Sequence, residues 1–145
     1  MTPHVAAITG GAGHLGQAIA HALAARGVHI AVLDKNAQAG QAFAAELSRQ
    51  YKGTHSFIET DLLREDSFAK TAADVEKAHG RLDYLVNNAA FYDDAPGWGV
   101  PFAQEGYEAW LKVMRVNLLA PFFMAQAMHR LLQKSDDASI VNIGS

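Results

Sequence analysis

Eight residues near the start of the chain, Thr9-Gly10-Gly11-Ala12-Gly13-His14-Leu15-Gly16, are the first whose types and spacing suit a chemical task. Glycines at 11, 13 and 16 let the backbone turn tightly and approach an anion with no side chain in between. A helix opening directly after them aims unpaired N–H groups and the positive end of its dipole at the same point, an arrangement that holds a pyrophosphate. Asp34 stands 23 residues after Gly11. A carboxylate at that distance can accept both hydroxyls of an adenosine ribose, and its charge repels a 2′-phosphate, so NAD is favoured over NADP. Lys35 beside it moderates that preference. Two plainer alternatives stand: a glycine turn with no ligand, and Asp34 as the cap of the following helix.

Asp61-Leu62 and Asn87-Asn88-Ala89-Ala90 each close an apolar run. Small residues and side-chain amides there allow a flat ring or a ribose to lie against the backbone, although Asx residues also favour ordinary turns. Asn117 lies beside Met114 and Leu118 in a helical stretch, where asparagine is a poor helix former. Pro121, four residues later, cannot supply the N–H that the Asn117 carbonyl would accept. The expected result is a local bend whose free carbonyl can hold a water or a catalytic group. Gly144-Ser145 follow the last apolar run and bring a hydroxyl to the same end as the other motifs. None of the seven histidines forms a His-x3-His pair and there is no cysteine, so neither a metal centre nor thiolate chemistry is expected.

These groups must be carried by regular elements. Val5–Thr9, Val28–Leu33, Thr54–Thr60, Leu82–Val86 and Ser139–Ile143 read as strands, most of them as continuous apolar runs. Between them lie helical repeats: Leu15, Ile19 and Leu23, ending at Gly27; Phe43, Leu47 and Tyr51; Phe68, Ala72, Val75 and His79, ending at Gly80. Trp110, Met114, Leu118, Phe122 and Ala125 step along one face of a long helix running to about Lys134. Tyr92–Gly106, with Asp93-Asp94, reads as a loop, and the aromatic Phe91, Tyr92 and Trp98 could line a substrate pocket or simply pack the loop down. Alternating strands and helices predict an α/β fold, a doubly wound parallel sheet covered on both faces and Rossmann-like, here with five strands. Ligands of such sheets bind outside the carboxyl ends of the strands, where every motif above falls.

Composition narrows the function. With 145 residues, 50% of them apolar, the chain is sized for one domain and is not disordered. A net charge of -3 argues against a nucleic-acid binder, which needs a basic excess. The longest apolar stretch, Leu118–Ala125, contains Pro121 and is far short of a membrane span, and Met1-Thr2-Pro3-His4 is unlike a signal peptide. The absence of cysteine fits a reducing cytoplasm, the expected setting.

Taken together, the glycine string, Asp34, Asp61-Leu62, Asn87-Asn88-Ala89-Ala90, Val116-Asn117-Leu118 and Ile140-Val141-Asn142-Ile143-Gly144-Ser145 resemble the short-chain dehydrogenase/reductase family in order and register. The resemblance implies an NAD(P)-dependent oxidoreductase acting on a small alcohol or carbonyl. It also implies a homodimer or homotetramer built partly through the helix that carries Asn117. Cofactor contacts are implied for Gly10, Gly13, His14, Leu15, Gly16, Asp34, Asp61, Leu62, Asn88, Ala89 and Ala90. Asn117 matches the asparagine that holds a water in the family's proton relay, and Ser145 the serine that hydrogen-bonds the reacting oxygen. The tyrosine and lysine that complete that tetrad as Tyr-x3-Lys are absent from the chain. Residues 1–145 are therefore expected to be a Rossmann domain cut short before that helix and inactive alone, with Leu118, Phe122, Phe123 and Met124 left bare. Gly10, Gly13 and Gly16 have the spacing of the longer epimerase/dehydratase branch, with His14 where the shorter enzymes carry glycine. An epimerase or dehydratase that retains NAD, and a non-catalytic nucleotide-binding fragment, are the alternative readings.

Overall fold

The computed structural model describes residues 3–91 and 99–144. Five strands, β1 (Val5–Thr9), β2 (His29–Asp34), β3 (His55–Glu59), β4 (Tyr84–Asn87) and β5 (Ser139–Asn142), form one sheet in the order β3-β2-β1-β4-β5. Every neighbouring pair is parallel. Helices α1 (His14–Ala24), α2 (Ala37–Gln50) and α3 (Glu65–His79) link the first four strands. Helices α4 (Tyr107–Met114) and α5 (Ala120–Leu132), joined by a π turn at Arg115–Leu119, precede the fifth. The first three strands build outward from β1, and α3 then returns the chain to the other side of β1. This reversal of direction puts the switch point of the doubly wound α/β sheet between β1 and β4.

Alternation along the strands divides the core in two. Ala6, Ile8, Ile30 and Val32 pack with Phe43 and Leu47 of α2 and with Ala20 and Ala24 of α1. Val5, Ala7 and Leu33 pack on the opposite face with Val75 of α3 and with Met124, Met128 and Leu131 of α5. A sheet buried on both faces requires continuous apolar runs, and β1 and β2 are such runs. Asp83, fully buried just before β4, ties the far ends of these layers together. Its carboxylate accepts the Val5 N–H at 2.8 Å, the Arg81 guanidinium and the Ser135 hydroxyl that follows α5.

Four expectations are corrected. The face α1 buries is Gly16-Ala20-Ala24, one residue on from Leu15-Ile19-Leu23, and Leu15 is 54% exposed. Small residues win because the helix lies against the glycine turn, where an added Cβ at Gly16 would run into the Gly10 carbonyl. The α4–α5 segment has two apolar sides. Ala109, Val113, Val116, Ala120, Met124 and Met128 are buried, while Trp110, Met114, Leu118 and Phe122 are exposed. Met124, expected bare, is fully buried in the α3–α5 layer; Leu118, Phe122 and Phe123 are exposed as expected. The sheet is not covered on both faces throughout, since all of β5 is exposed. Within the predicted loop, Phe102–Gln104 forms a single 3₁₀ turn. Tyr92, Asp93, Asp94, Trp98 and Ser145 lie outside the described residues.

Candidate active site

The carboxyl ends of β1, β2, β3 and β4 open into a cleft of about 940 Å³. Gly10, Gly13, His14, Leu15, Gly16, Asp34, Asp61, Leu62, Asn88, Ala89, Ala90 and Asn117 all line it, so the candidate residues within the described structure meet in one place. The floor is the turn from β1 into α1. Gly10 has φ +62, a left-handed conformation that an L side chain rarely adopts, and a Cβ there would lie 2.9 Å from the Ala89 Cα. Gly11 faces away from the cleft, against the Ile8 carbonyl and Val32. Gly13 differs from both. Its missing Cβ would meet only the Gly10 carbonyl, at 3.3 Å, so its bare backbone leaves room on the exposed side. No acidic residue occupies the first turn of α1, and the positive end of that helix is uncompensated.

Asp34 ends β2 with its carboxylate on the wall of this floor. One oxygen accepts the Ala12 N–H of the glycine turn at 3.1 Å and the other accepts the Asn36 N–H at 2.9 Å. The cap of α2 is Asn36, whose side chain accepts the Ala39 N–H at 3.0 Å, so Asp34 is not the helix cap. Lys35 reaches across to Phe91, its Nζ lying 5.7 Å from the ring centroid, within cation–π range. Past β3, Asp61 accepts the Leu63 N–H at 3.0 Å, and its own N–H donates to the Ser67 hydroxyl at 3.1 Å. Asp61 and Leu62 thereby form a fixed turn backed by α3.

Thr9 is the hub that the sequence did not single out. It is 2% exposed, and its hydroxyl accepts both the Asn88 N–H at 3.0 Å and the Ala89 N–H at 3.1 Å. The Asn88 amide in turn donates to the carbonyls of Thr9 and Gly10. Asn87 turns the other way and donates to the Asn142 side chain at 2.8 Å, joining β4 to β5. A threonine closing a buried strand before a glycine turn was the available signal. Its partners, 79 and 80 residues away, gave none.

Asn117 lies in the π turn, where the Ala120 N–H reaches back five residues to the Arg115 carbonyl. The expected bend is therefore one wide turn, with Pro121 in the first turn of α5. The Asn117 side chain is exposed and makes two hydrogen bonds, both to Phe91. Its oxygen accepts the Phe91 N–H at 2.8 Å and its nitrogen donates to the Phe91 carbonyl at 3.1 Å. This two-point contact fixes the backbone just past Ala90. Among the described residues no cluster of three potential metal ligands occurs.

The family model described as short chain dehydrogenase matches residues 4–145. The chain is 34% identical over 142 residues to a D-threitol dehydrogenase of Mycolicibacterium smegmatis, covering 97% of this chain and 52% of that protein. It is 34% identical over 142 residues to the short chain dehydrogenase/reductase astE of Aspergillus oryzae, covering 97% and 53%. Among solved structures it is similar to an NAD+-bound xylitol dehydrogenase, with a TM-score of 0.87 and 27% identity over 98% of this chain and 53% of that one. It is also similar to the NADPH-dependent 3-quinuclidinone reductase of Rhodotorula rubra, with a TM-score of 0.85 and 31% identity over 98% and 52%. The chain spans about half the length of the curated relatives it matches.

Proposed function

The chain belongs to the short-chain dehydrogenase family, and from that premise we propose that it is the dinucleotide-binding part of an NAD(P)-dependent oxidoreductase acting on a small alcohol or carbonyl. The observation that carries this reading is the cleft itself, in which a glycine turn, an uncompensated helix end and the Asp34 carboxylate converge. The bare backbone at Gly13 suits an approaching pyrophosphate, with His14, Leu15 and Gly16 opening the helix beneath it. Asp34 accepts the ribose hydroxyls, which favours NAD over NADP. Its two present contacts are both backbone N–H donors, so lone pairs remain for the sugar. Asp61 and Leu62 wall the adenine, and Asn88, Ala89 and Ala90 border the sugars. Bound nicotinamide supplies or accepts the hydride. Asn117 holds the Phe91 backbone beside it and, in the π turn, offers a place for a relay water; Ser145 hydrogen-bonds the reacting oxygen.

The exposed apolar side of α4 and α5, with Trp110, Met114, Leu118 and Phe122, supports a homodimer or homotetramer. Among the described residues no helix is long and apolar enough to cross a membrane, and a cysteine-free chain fits a reducing cytoplasm. Binding calorimetry with NAD+ and NADP+ tests the cofactor reading. Asp34→Ala is expected to weaken NAD+ binding by roughly ten- to a hundredfold, the value of hydrogen bonds to a charged group, and to narrow the gap to NADP+. Equal NAD+ affinity in both forms would overturn the ribose assignment. The glycine spacing keeps an epimerase or dehydratase as the second reading; free NADH released in a single turnover would count against it.

A further inference from the structure

One face of α3 repeats at every fourth residue: Ser67, Thr71, Val75, His79. Val75 is fully buried, and the other three each hydrogen-bond β3 or the residues just past it. Ser67 accepts the Asp61 N–H at 3.1 Å, Thr71 shares a hydrogen bond with the Thr60 hydroxyl at 3.0 Å, and His79 Nε2 pairs with the Ser56 hydroxyl at 2.8 Å. The row begins at the nucleotide cleft, where Asp61 and Leu62 form the wall, and ends at the opposite edge of the sheet. There His79 lies within electrostatic reach of His29, the first residue of β2, and His55, the first of β3. The His29 and His55 ring centroids are 6.4 Å apart.

We propose that His55 and His79, set beside His29, form an acid-sensitive latch: protonation of these two rings frees the end of α3 from β3 and, through the Thr71 and Ser67 contacts, loosens the Asp61–Leu62 wall. The second half of this rests on the reading of the cleft as a dinucleotide site.

The chemistry follows from unpaired nitrogens. Among the described residues, both ring nitrogens of His55 and Nδ1 of His79 are buried without a partner. With Nε2–H donating to Ser56, the second proton falls on Nδ1, which has no acceptor among the described residues; in the other tautomer Nε2 turns from acceptor to donor and the Ser56 hydroxyl must turn round, and in neither does the ring gain a counter-charge. The charges acting on His79 are those of His29 and His55, which repel it. Lys52 precedes Gly53, the residue lying against the His29 and His55 rings, and brings another positive charge to that turn. On the α5 side, Lys134 bonds Glu76 and the Gly80 carbonyl, and Arg130 also acts on Glu76, so that carboxylate is already committed. Burial, then the neighbouring rings, push His79 down to about 4, and burial with His29 lowers His55. The folded state thus prefers neutral rings. Its stability from them is complete above the ordinary imidazole value of 6.5 and is lost as pH falls from there toward about 4.

Hydrogen exchange of the chain at pH 7.5, 6 and 5, corrected for intrinsic rates, reads the latch directly. We expect local opening at residues 54–57 and 76–80 to rise about tenfold for each pH unit over which one proton is taken up. His79→Gln keeps a group able to bond Ser56 but cannot be charged, and should remove most of the response, His55 keeping the rest; His55→Gln should flatten it in part. An identical pH response in wild type and both variants overturns the proposal, as does unchanged wild-type protection. If a variant fails to fold, an NMR titration of wild-type His79 at an ordinary imidazole value overturns it equally. NADH fluorescence titration at the same pH values tests the coupling: affinity should fall with acid in wild type and largely hold in His79→Gln. No NADH binding at pH 7.5 refutes the site reading and the coupling with it, while exchange still decides the latch.

Discussion

At the scale of single residues, the site depends on a few groups that hold backbone. Thr9 presents one hydroxyl to two consecutive N–H groups at the end of β4. Thr9→Val keeps the shape and removes the acceptor, leaving both donors poorly satisfied. We expect a loss of about 2–6 kcal/mol in urea unfolding, from about 1–3 for each of the two stranded donors, with weaker NAD+ binding because Asn88 and Ala89 shift. Thr9→Ser should recover most of both. The residues with a functional pattern of their own were legible in the sequence, because the glycine turn, Asp34, Asp61, the Asn-Asn-Ala-Ala string and Asn117 sit in short motifs. Thr9 was visible only as the head of the glycine string and Phe91 only as an aromatic beside a loop, because their hydrogen bonds are made with distant parts of the chain. Asn117 was legible as a misfit in a helix; that its amide would clasp both backbone groups of Phe91 was not.

At the scale of elements, apolar runs located all five strands to within about two residues; β1, β2 and β4 were clearest because burial on both faces leaves little polar interruption, while β3 carries His55, Ser56 and Glu59. Helix faces were harder. On α1 the residues that approach the sheet are Gly16, Ala20 and Ala24, which carry little hydrophobic signal, while the louder Leu15 faces outward. On α4–α5 two apolar sides overlap in the sequence, and only the packing separates Met124 and Met128 from Leu118 and Phe122. The junction of elements at Asp83 carries its own prediction. Burial pushes the Asp83 carboxyl up, but Arg81, Ser135 and the Val5 N–H outweigh it and hold it below the ordinary carboxylate value of 3.8. This contribution is therefore present above 3.8 and lost as pH falls through the lowered value. Asp83→Ala should destabilise by about 3–5 kcal/mol at neutral pH, as removal of one member of a buried ionic group does. Thermal melts should also show less acid dependence below pH 4 than wild type, a window separate from that of the histidine cluster.

At the scale of the whole molecule, the apolar surface is unevenly covered. Leu118, Phe122 and Phe123 on the helices, and Ile140, Val141 and Ile143 at β5, are all at least 40% exposed. Apolar residues this exposed are the material from which an association surface is built, and they support the oligomer proposed above. Sedimentation velocity is expected to show a dimer or larger species for the chain, and Leu118→Ser with Phe122→Ser to shift it toward monomer. A wild-type monomer at tens of micromolar would remove the oligomer proposal. The topology that places the cleft was legible from the alternation of strands and helices, since crossovers between parallel strands leave few arrangements. The bare side of β5 was missed because an apolar strand reads the same whether or not anything covers it.

The central place of β1 also sets a timetable. Its one edge pairs with β2, within easy reach along the chain, but its other edge waits for β4, and its first N–H waits for the Asp83 carboxylate 78 residues away. At ribosomal rates of about 5–20 residues per second, that wait lasts roughly 4 to 16 seconds. During this interval Val5-Ala6-Ala7-Ile8-Thr9 lacks the second neighbour it has in the folded sheet, and any strand it forms has one edge open. That is the form in which strands pair with the wrong neighbour. The strand that later anchors the nucleotide turn is thus the segment most in need of shielding while the protein is being made.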